Sequence, residues 1–522
     1  MSAELPPRLR GLLSPAAYPH PVGAIELIQT HISWVLLTGS FAYKVKRPVR
    51  YAFIDLLSPE RREFLCREEL RLNRRFAPQL YLEVCPITAP VGAARIGGAG
   101  EAIEYAVKMR QFPREQELDR LLEAGGVAPQ EFERFGGEIA AIHAQLPTAD
   151  GGSPWGTSER VRELVLVNLT QCAQAAAAFD AAARVEALRA PLEAQLGALS
   201  ECMAARRTAG RVRECHGDLH ARNIVRQDNQ LLAFDCIEYE AAFRWIDVAD
   251  EIAFLLSDLS ARGCRDEARA FLAGYLAASG DYQACRLQPL YQAHRGLVRA
   301  KVVALQATSS SELETTALMP EWSRLISFAA AVLVPRHPRM YLTCGASGAG
   351  KTWFASRLAP PLGALHVRSD VERKRAAGLE PTKRAGAQPG AGLYTAGITA
   401  ATYTRLLQAA EDILAGGWDV IVDATFGLRE ERERFVERAR SLGISCILIV
   451  CEAPISVMRA RIAARARAAE DPSDADEAVL DWQLAHQEPL DESELANATR
   501  VDTQDPQSVA RAIRQITARA PC

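Results

Sequence analysis

A glycine-rich segment in the C-terminal third of the chain has the residue types and spacing needed to hold a triphosphate. Glycines leave room for backbone N–H groups to wrap a phosphate, a lysine can reach the β- and γ-phosphates, and a threonine hydroxyl can bind Mg²⁺. An apolar run precedes the segment and a helical pattern follows it. The sequence therefore predicts a site for ATP and Mg²⁺ formed by Gly345, Ala346, Ser347, Gly348, Ala349, Gly350, Lys351 and Thr352.

Two aspartates follow the apolar runs that flank this segment. Asp370 comes two residues after the run Leu365–Arg368, where a carboxylate is placed to orient an acceptor hydroxyl and take its proton; capping the next helix is its alternative role. Asp423 ends the run Val420 to Asp423, which suits a second ligand for the Mg²⁺ held by Thr352, although an aspartate in a plain turn has the same pattern.

Four arginines lie on a predicted helix after the fourth apolar run, at Arg459, Arg461, Arg465 and Arg467. They suit either a lid that neutralises the transferring phosphoryl group or a solvated helix face. With the glycine-rich segment and the two aspartates, they make residues 338–520 similar to the small P-loop kinases. That group contains gluconate kinase, zeta-toxin-like kinases and the polynucleotide 5′-kinase domain.

A second phosphotransfer pattern occurs in the first half of the chain. His216 to Asn223 has the spacing H-x-D-x-x-x-x-N, and a further apolar run ends at Asp235. A carboxylate must orient the acceptor hydroxyl, which suits Asp218, and Mg²⁺ needs oxygen ligands, which suits Asn223 and Asp235.

Residues 25–330 resemble the aminoglycoside phosphotransferase and choline kinase branch of the protein-kinase-like fold, which typically reads H-G-D-x-x-x-x-N before a metal-binding aspartate. The resemblance implies a strand lysine that holds the nucleotide phosphates and pairs with a helix glutamate. Lys44 is the preferred lysine, with Lys46 on the same strand face as the alternative, and Glu68 is preferred over Glu69. The glycine-rich loop that often precedes this lysine is absent.

The order of apolar runs indicates how these residues are positioned. A break at Leu333 to Pro338 separates two regions, and strands and helices alternate after it, which predicts an α/β domain with a parallel sheet over 338–522. Before it, residues 25–334 predict an α+β, two-lobed kinase-like domain. We expect its sheet lobe over about 25–112, its helical lobe over about 113–334, and an N-terminal extension over 1–24.

Composition limits the environment of the protein. The chain has 522 residues, a formal net charge of −3 and only seven lysines, so general attraction to nucleic acid or anionic membranes is not expected. Its twelve cysteines form no C-x-x-C pair, and no run is long enough to span a membrane. No signal-peptide pattern opens the sequence. We therefore expect a cytoplasmic protein with reduced thiols.

The sequence favours an ATP- and Mg²⁺-dependent kinase with two sites, each acting on the hydroxyl of a small molecule. Two alternatives stay open: an ATP-binding regulatory protein with a non-catalytic kinase-like half, and a polynucleotide 5′-hydroxyl kinase. A nucleic acid acceptor is not favoured, and the patterns indicate neither the acceptors nor the oligomeric state.

Overall fold

The computed structural model describes residues 4–51, 54–89, 93–308, 310–379, 387–388, 391–393, 395–468 and 473–518. The chain forms two compact units. The first comprises the chain up to Glu131 with Ala141–Val167 and Ser200–Asp258, and the second comprises Phe132–Ala140, Asn168–Leu199 and the chain from Leu259 onward. The second unit therefore contains the predicted parallel sheet together with helices that precede the sequence break near residue 334.

An antiparallel sheet of six strands, in the order β1-β2-β3-β8-β6-β7, forms the first part of the first unit. Its elements, with a short hairpin of β4 and β5, are β1 (Glu26–Gln29), β2 (Ser33–Leu37), β3 (Phe41–Lys46), β4 (Arg50–Tyr51), β5 (Ile54–Asp55), α1 (Pro59–Asn73), β6 (Tyr81–Thr88), β7 (Arg95–Ile96) and β8 (Ala102–Arg110). These elements form the sheet expected in the α+β domain at about residues 25–112.

The side chains of β3 alternate between the two faces of the sheet, which determines on which side Lys44 and Lys46 lie. Tyr43 and Val45 are buried against a cluster that includes Leu9 and Leu12 from a 3-10 helix at Pro7–Leu13. Since neighbouring residues of a strand point to opposite faces, Lys44 and Lys46 lie on the other face. The apolar packing on one side of β3 thus directs both lysines to the side on which α1 packs.

Helices dominate the following 200 residues, as expected, and a few short strands interrupt them. The elements are α2 (Leu118–Glu123), α3 (Pro129–Gln145), α4 (Ser158–Ala175), α5 (Ala182–Glu186), α6 (Arg189–Ala198), α7 (Ser200–Thr208), β9 (Val212–Glu214), β10 (Ile224–Gln227), β11 (Gln230–Ala233), β12 (Trp245–Asp247), α8 (Val248–Ala261), α9 (Arg265–Ser279), α10 (Ala284–Thr308) and α11 (Glu312–Val332). Within the described ranges, no helix is both long and apolar enough to cross a lipid bilayer.

A five-stranded parallel sheet in the order β14-β17-β13-β18-β19 forms the core of the C-terminal region. The elements here are β13 (Met340–Cys344), α12 (Lys351–Leu362), β14 (Leu365–Arg368), α13 (Ser369–Ala376), β15 (Ala387–Gln388), β16 (Ala391–Gly392), α14 (Ala396–Ala415), β17 (Val420–Asp423), α15 (Arg429–Ser441), β18 (Cys446–Glu452), α16 (Ile455–Ala468), α17 (Glu477–His486), α18 (Glu492–Asn497), β19 (Ala498–Asp502) and α19 (Pro506–Ala518).

The parallel arrangement brings the carboxyl ends of β13, β14 and β17 to one edge of this sheet. The glycine-rich segment follows β13, Asp370 follows β14, and Asp423 ends β17. Every residue of β13 is buried, as expected for a central parallel strand. The sequence predicted four of the strands and missed β19, whose alternating pattern is short and only half apolar.

Helices α3 and α9 approach closely in the second unit because glycines face a neighbouring backbone. A Cβ built on Gly136 would lie 2.1 Å from the Phe271 carbonyl oxygen, and one on Gly274 would lie 1.9 Å from the Glu133 carbonyl oxygen. A side chain at either position would therefore force the helices apart.

We expect Gly136→Ala to lower the free energy of unfolding by about 1–3 kcal/mol, because an added methyl group overpacks this crossing. Gly137→Ala is the matched control: its Cβ would meet no heavy atom closer than 4.0 Å. Replacing a helix glycine with alanine there should be neutral or stabilising by up to about 1 kcal/mol. Urea denaturation measures both variants, and equal stability of the two would contradict the close crossing.

Candidate active sites

The glycine-rich segment forms a loop whose glycines are required by conformation and by packing. Gly345, Gly348 and Gly350 all have positive φ, at 137°, 81° and 89°. A Cβ on Gly345 would lie 2.5 Å from the Cys451 carbonyl oxygen, and one on Gly348 would lie 2.6 Å from that of Met458. The sequence pattern indicated one role for these glycines, which is to leave room for a phosphate. Packing against the ends of β18 and α16 is a second reason for them.

The lysine and one amide of this loop are occupied by protein groups. Lys351 Nζ donates to the carbonyl oxygen of Ala346 at 3.0 Å, and burial lowers the pKa of Lys351. The backbone N–H of Ser347 donates to the side-chain oxygen of Gln483 on α17 at 2.8 Å. Sequence reasoning missed Gln483, and nothing in a single sequence distinguishes it from other helix glutamines.

Asp423 is a buried carboxylate that joins three neighbouring elements. Its two oxygens accept hydrogen bonds from the Thr343 hydroxyl at 3.0 Å, the Thr352 hydroxyl at 2.6 Å and His366 Nε2 at 3.1 Å. Burial by itself raises the pKa of Asp423, but the His366 hydrogen bond and the charge of Lys351 hold it well below its usual range. The structure thus brings Thr352 and Asp423 together as predicted and adds His366, which no motif indicated.

A cavity of about 1030 Å³ connects the loop with Asp370. Asp370 lies in the first turn of α13, whose N-cap is Arg368, so the alternative capping role does not apply. Arg373, Tyr403 and Glu431 also line the cavity, and burial raises the pKa of Glu431. The glycine-rich loop and the carboxylate predicted to orient an acceptor hydroxyl therefore line the same cavity.

The four arginines of α16 have different roles. Arg461 donates to the Gly348 carbonyl oxygen at 3.1 Å and to the Thr503 hydroxyl at 2.9 Å. These hydrogen bonds connect the glycine-rich loop to the residue that follows β19. Arg465 lines the cavity and donates to the Ala475 carbonyl oxygen. Arg459 and Arg467 make exposed contacts. Arg461 and Arg465 thus lie on the cavity side of α16, and a role in neutralising the transferring phosphoryl group stays a prediction.

The predicted catalytic loop of the first unit brings Asp218 and Asn223 together. Asn223 Nδ2 donates to Asp218 Oδ2 at 2.8 Å. Glu251, which is fully buried, accepts hydrogen bonds from the backbone N–H groups of His216 and Gly217 at 2.7 and 3.0 Å. Burial lowers the pKa of His216 to about 4, and its Nε2 donates to the Phe234 carbonyl oxygen. A neutral histidine and a buried glutamate thus fix the loop that presents Asp218.

Lys44 is the strand lysine that reaches the predicted metal site, but its glutamate partner differs from the predicted one. Lys44 Nζ lies 2.5 Å from Asp235 Oδ1 and 2.8 Å from Glu69 Oε1. Glu68 instead pairs with Arg71 on the surface of α1. The preference for Glu68 was wrong because Glu69 is the residue on the buried face of this helix.

Lys46, the alternative lysine, lies in the same buried cluster. Its Nζ lies 2.5 Å from Glu69 Oε2 and also contacts Glu238 Oε1. Burial by itself raises the pKa of Glu69, yet the two lysines lower it to about 2. Burial by itself would lower the pKa of Lys44, but the charges of Asp235 and Glu69 outweigh the effect of burial. The pKa of Lys44 is therefore raised. One ionised glutamate therefore holds two lysines, and Glu238 is a partner that sequence reasoning missed.

The oxygen atoms at both sites are of the kind that Mg²⁺ prefers. At the loop, the Thr352 hydroxyl and the Asp423 carboxylate lie together. In the first unit, Asn223 uses its amino group for Asp218, which leaves its carbonyl oxygen as an acceptor. Asp235 is half exposed on its side chain, so its second oxygen can be reached. The donor sets fit the ion, and assigning it to these residues remains a prediction.

Two family models match the chain. The model described as "Phosphotransferase enzyme family" matches residues 58–290, and the model described as "AAA domain" matches residues 340–490. Similar solved structures include a sugar kinase from Janibacter sp. (22% identical, covering 35% of this chain and 99% of that one, TM-score 0.28). An ethanolamine kinase from Plasmodium vivax is 11% identical, covering 60% of this chain and 82% of that one, with a TM-score of 0.36.

The fold and the two family models define a kinase-like phosphotransferase domain followed by a P-loop kinase domain with a parallel sheet. Two curated relatives are the uncharacterized proteins Rv2004c of Mycobacterium tuberculosis and Mb2027c of Mycobacterium bovis. Each is 30% identical over 481 residues, which cover 90% of this chain and 93% of the relative. The chain belongs to the same protein family as these mycobacterial proteins.

We expect Glu69→Gln to destabilise the first unit by about 3–5 kcal/mol, because it leaves two buried lysines short of a counter-charge. Glu68→Gln, next to it on the same helix, should cost about 1 kcal/mol or less. Since the pKa of Glu69 falls from 4.5 to about 2 on folding, its contribution is complete above pH 4.5 and declines below it. Urea denaturation at several pH values tests this. A larger loss of stability in Glu68→Gln than in Glu69→Gln would indicate that Glu68 is the partner of Lys44, as the sequence predicted.

Proposed function

We propose that the P-loop site transfers the γ-phosphoryl group of ATP to a hydroxyl group of a small molecule, with Mg²⁺. The observation that carries the proposal is the hydrogen bond between Thr352 and Asp423 in a cavity that also contains Lys351 and Asp370. The cavity is of the size typical of small-molecule sites. Membership of kinase-type families supports phosphotransfer as the reaction class.

The residues of this site have defined tasks in the proposed reaction. Lys351 exchanges the Ala346 carbonyl oxygen for the β- and γ-phosphates, and the loop amides hold the same groups. Asp370 accepts the proton of the acceptor hydroxyl while the hydroxyl oxygen forms a bond to the γ-phosphorus. The bond from that phosphorus to the β–γ bridging oxygen breaks, and ADP carries away the electron pair. Mg²⁺ supplies charge neutralisation between the phosphates when it is bound.

A second transfer site in the first unit is supported by its own geometry. Asp218 is oriented by Asn223, and Lys44 lies beside Asp235. In the proposed reaction Asp218 takes the proton of a different small-molecule hydroxyl, and Lys44 exchanges Asp235 for nucleotide phosphates. Both acceptors would be found with a panel of metabolites and oligonucleotides, assayed for ATP turnover with the full-length chain.

We expect Lys351→Ala and Asp370→Asn to impair the same phosphorylation activity. Each variant should lower its kcat/KM by roughly 10²–10⁴-fold. Lys351→Ala should also weaken binding of Mg·ATP to the second unit, whereas Asp370→Asn should leave that binding intact because it touches only the acceptor. Turnover assays and calorimetry separate the two effects. Retained turnover in both variants would rule out catalysis at this site, and turnover only with oligonucleotides would identify a polynucleotide kinase.

Asp218→Ala should abolish a different activity by a similar factor, while the activity that depends on Lys351 persists. Asp228→Asn is a suitable control because this exposed residue lies in the β10–β11 turn, with a φ of 49° that asparagine tolerates. If no acceptor in the panel responds to Asp218→Ala, the first unit has a binding or regulatory role instead.

A further inference from the structure

Helix α17 forms one wall of the cavity around the P-loop, and most of its lining residues, apart from Leu484, lie on one face. Val479, Trp482, Gln483 and His486 all line the cavity. Their spacing of i, i+3, i+4 and i+7 places them on the same side of a helix. Among the described hydrogen bonds of these four side chains, the one to the loop is made by Gln483, which accepts from the N–H of Ser347.

The contact with Ser347 fixes the orientation of the Gln483 carboxamide. A backbone N–H can only donate, so the group 2.8 Å from it must be the carboxamide oxygen. The amino group Nε2, with two N–H donors, is therefore the other end. Within the described part of the chain it donates to no protein acceptor, and the side chain is only partly buried in the cavity wall.

We propose that Gln483 is a nucleotide-recognition residue that donates a hydrogen bond from Nε2 to the phosphate tail held by the P-loop. This inference rests on the proposed nucleotide site. The Ser347 N–H orients the carboxamide, so the donor is in place before the nucleotide binds. Lys351, now held by the Ala346 carbonyl oxygen, and Gln483 would then both contact the phosphates.

Two substitutions isolate the amino group as donor. In Gln483→Glu, a carboxylate oxygen can still accept from Ser347, but the side chain is an anion without a donor. In Gln483→Met, the side chain stays neutral and similar in length, but it neither accepts nor donates. The one feature missing from both is the N–H donor. Gln507→Glu, at an exposed position at the start of α19, is the control for the added charge.

The probes are Mg·ATP, measured by calorimetry on the full-length chain, and adenosine, measured by ligand-observed NMR. We expect both Gln483 variants to bind Mg·ATP roughly 10- to 100-fold more weakly, as for loss of a hydrogen bond to a charged group, while adenosine binding is unchanged. Gln507→Glu should bind both probes like the wild type.

Each other result overturns the inference. Full affinity in Gln483→Glu would mean that only the Ser347 contact matters, and full affinity in Gln483→Met would mean that only charge matters. Equal losses of Mg·ATP and adenosine would indicate a distorted cavity. If the wild type itself binds no Mg·ATP in a Lys351-dependent manner, the proposed P-loop function fails. If it does, and both variants match it, only the role of Gln483 fails.

Discussion

The C-terminal site depends on one buried carboxylate with many partners. Asp423 accepts hydrogen bonds from β13, from the start of α12 and from β14, through Thr343, Thr352 and His366. A buried carboxylate is costly unless donors surround it, so these contacts fix the strand ends and the loop relative to one another. The same carboxylate is the oxygen donor that the proposed Mg²⁺ site needs. Asp423 thus both stabilises the arrangement of the strand ends and supplies the proposed Mg²⁺ ligand.

The first unit also depends on a buried carboxylate, whose partners are two lysines. Glu69 holds Lys44 and Lys46 in a buried cluster, and Lys44 extends from it to Asp235. Removing water strengthens each of these interactions and raises the cost of losing any partner. Lys46 and Glu238 anchor the cluster, which leaves Lys44 as its less buried cation, with 12% of its side chain exposed. Lys44 is therefore the more accessible of the two lysines, which favours it for the proposed contact with a nucleotide phosphate.

The P-loop region is not structurally isolated from the helices that precede it in the second unit. The Tyr282 hydroxyl, between α9 and α10, donates to Glu372 on α13 at 2.8 Å, and Arg286 donates to Asp412 on α14 at 2.5 Å. A Cβ on Gly416 would lie 2.3 Å from the Cys285 carbonyl oxygen. Helix α13, which carries Asp370, is thus supported by residues far upstream. The sequence break near residue 334 marks a change in the order of helices and strands. The boundary of the second unit does not lie there, because these contacts join helices before the break to the P-loop region.

The sequence by itself determined the features that local chemistry encodes. The spacing of the glycines, Lys351 and Thr352 predicted the loop, and the apolar runs predicted four of the five parallel strands. The spacing of Asp218 and Asn223 predicted that both belong to one site, where the structure brings them together. Only the tertiary structure decided that Glu69 and not Glu68 faces Lys44, that His366 reaches Asp423, and that Gln483 meets Ser347. The physical reason is that a motif fixes neighbours along the chain. Burial and contacts between distant segments depend on how whole helices and strands pack, which no local spacing records.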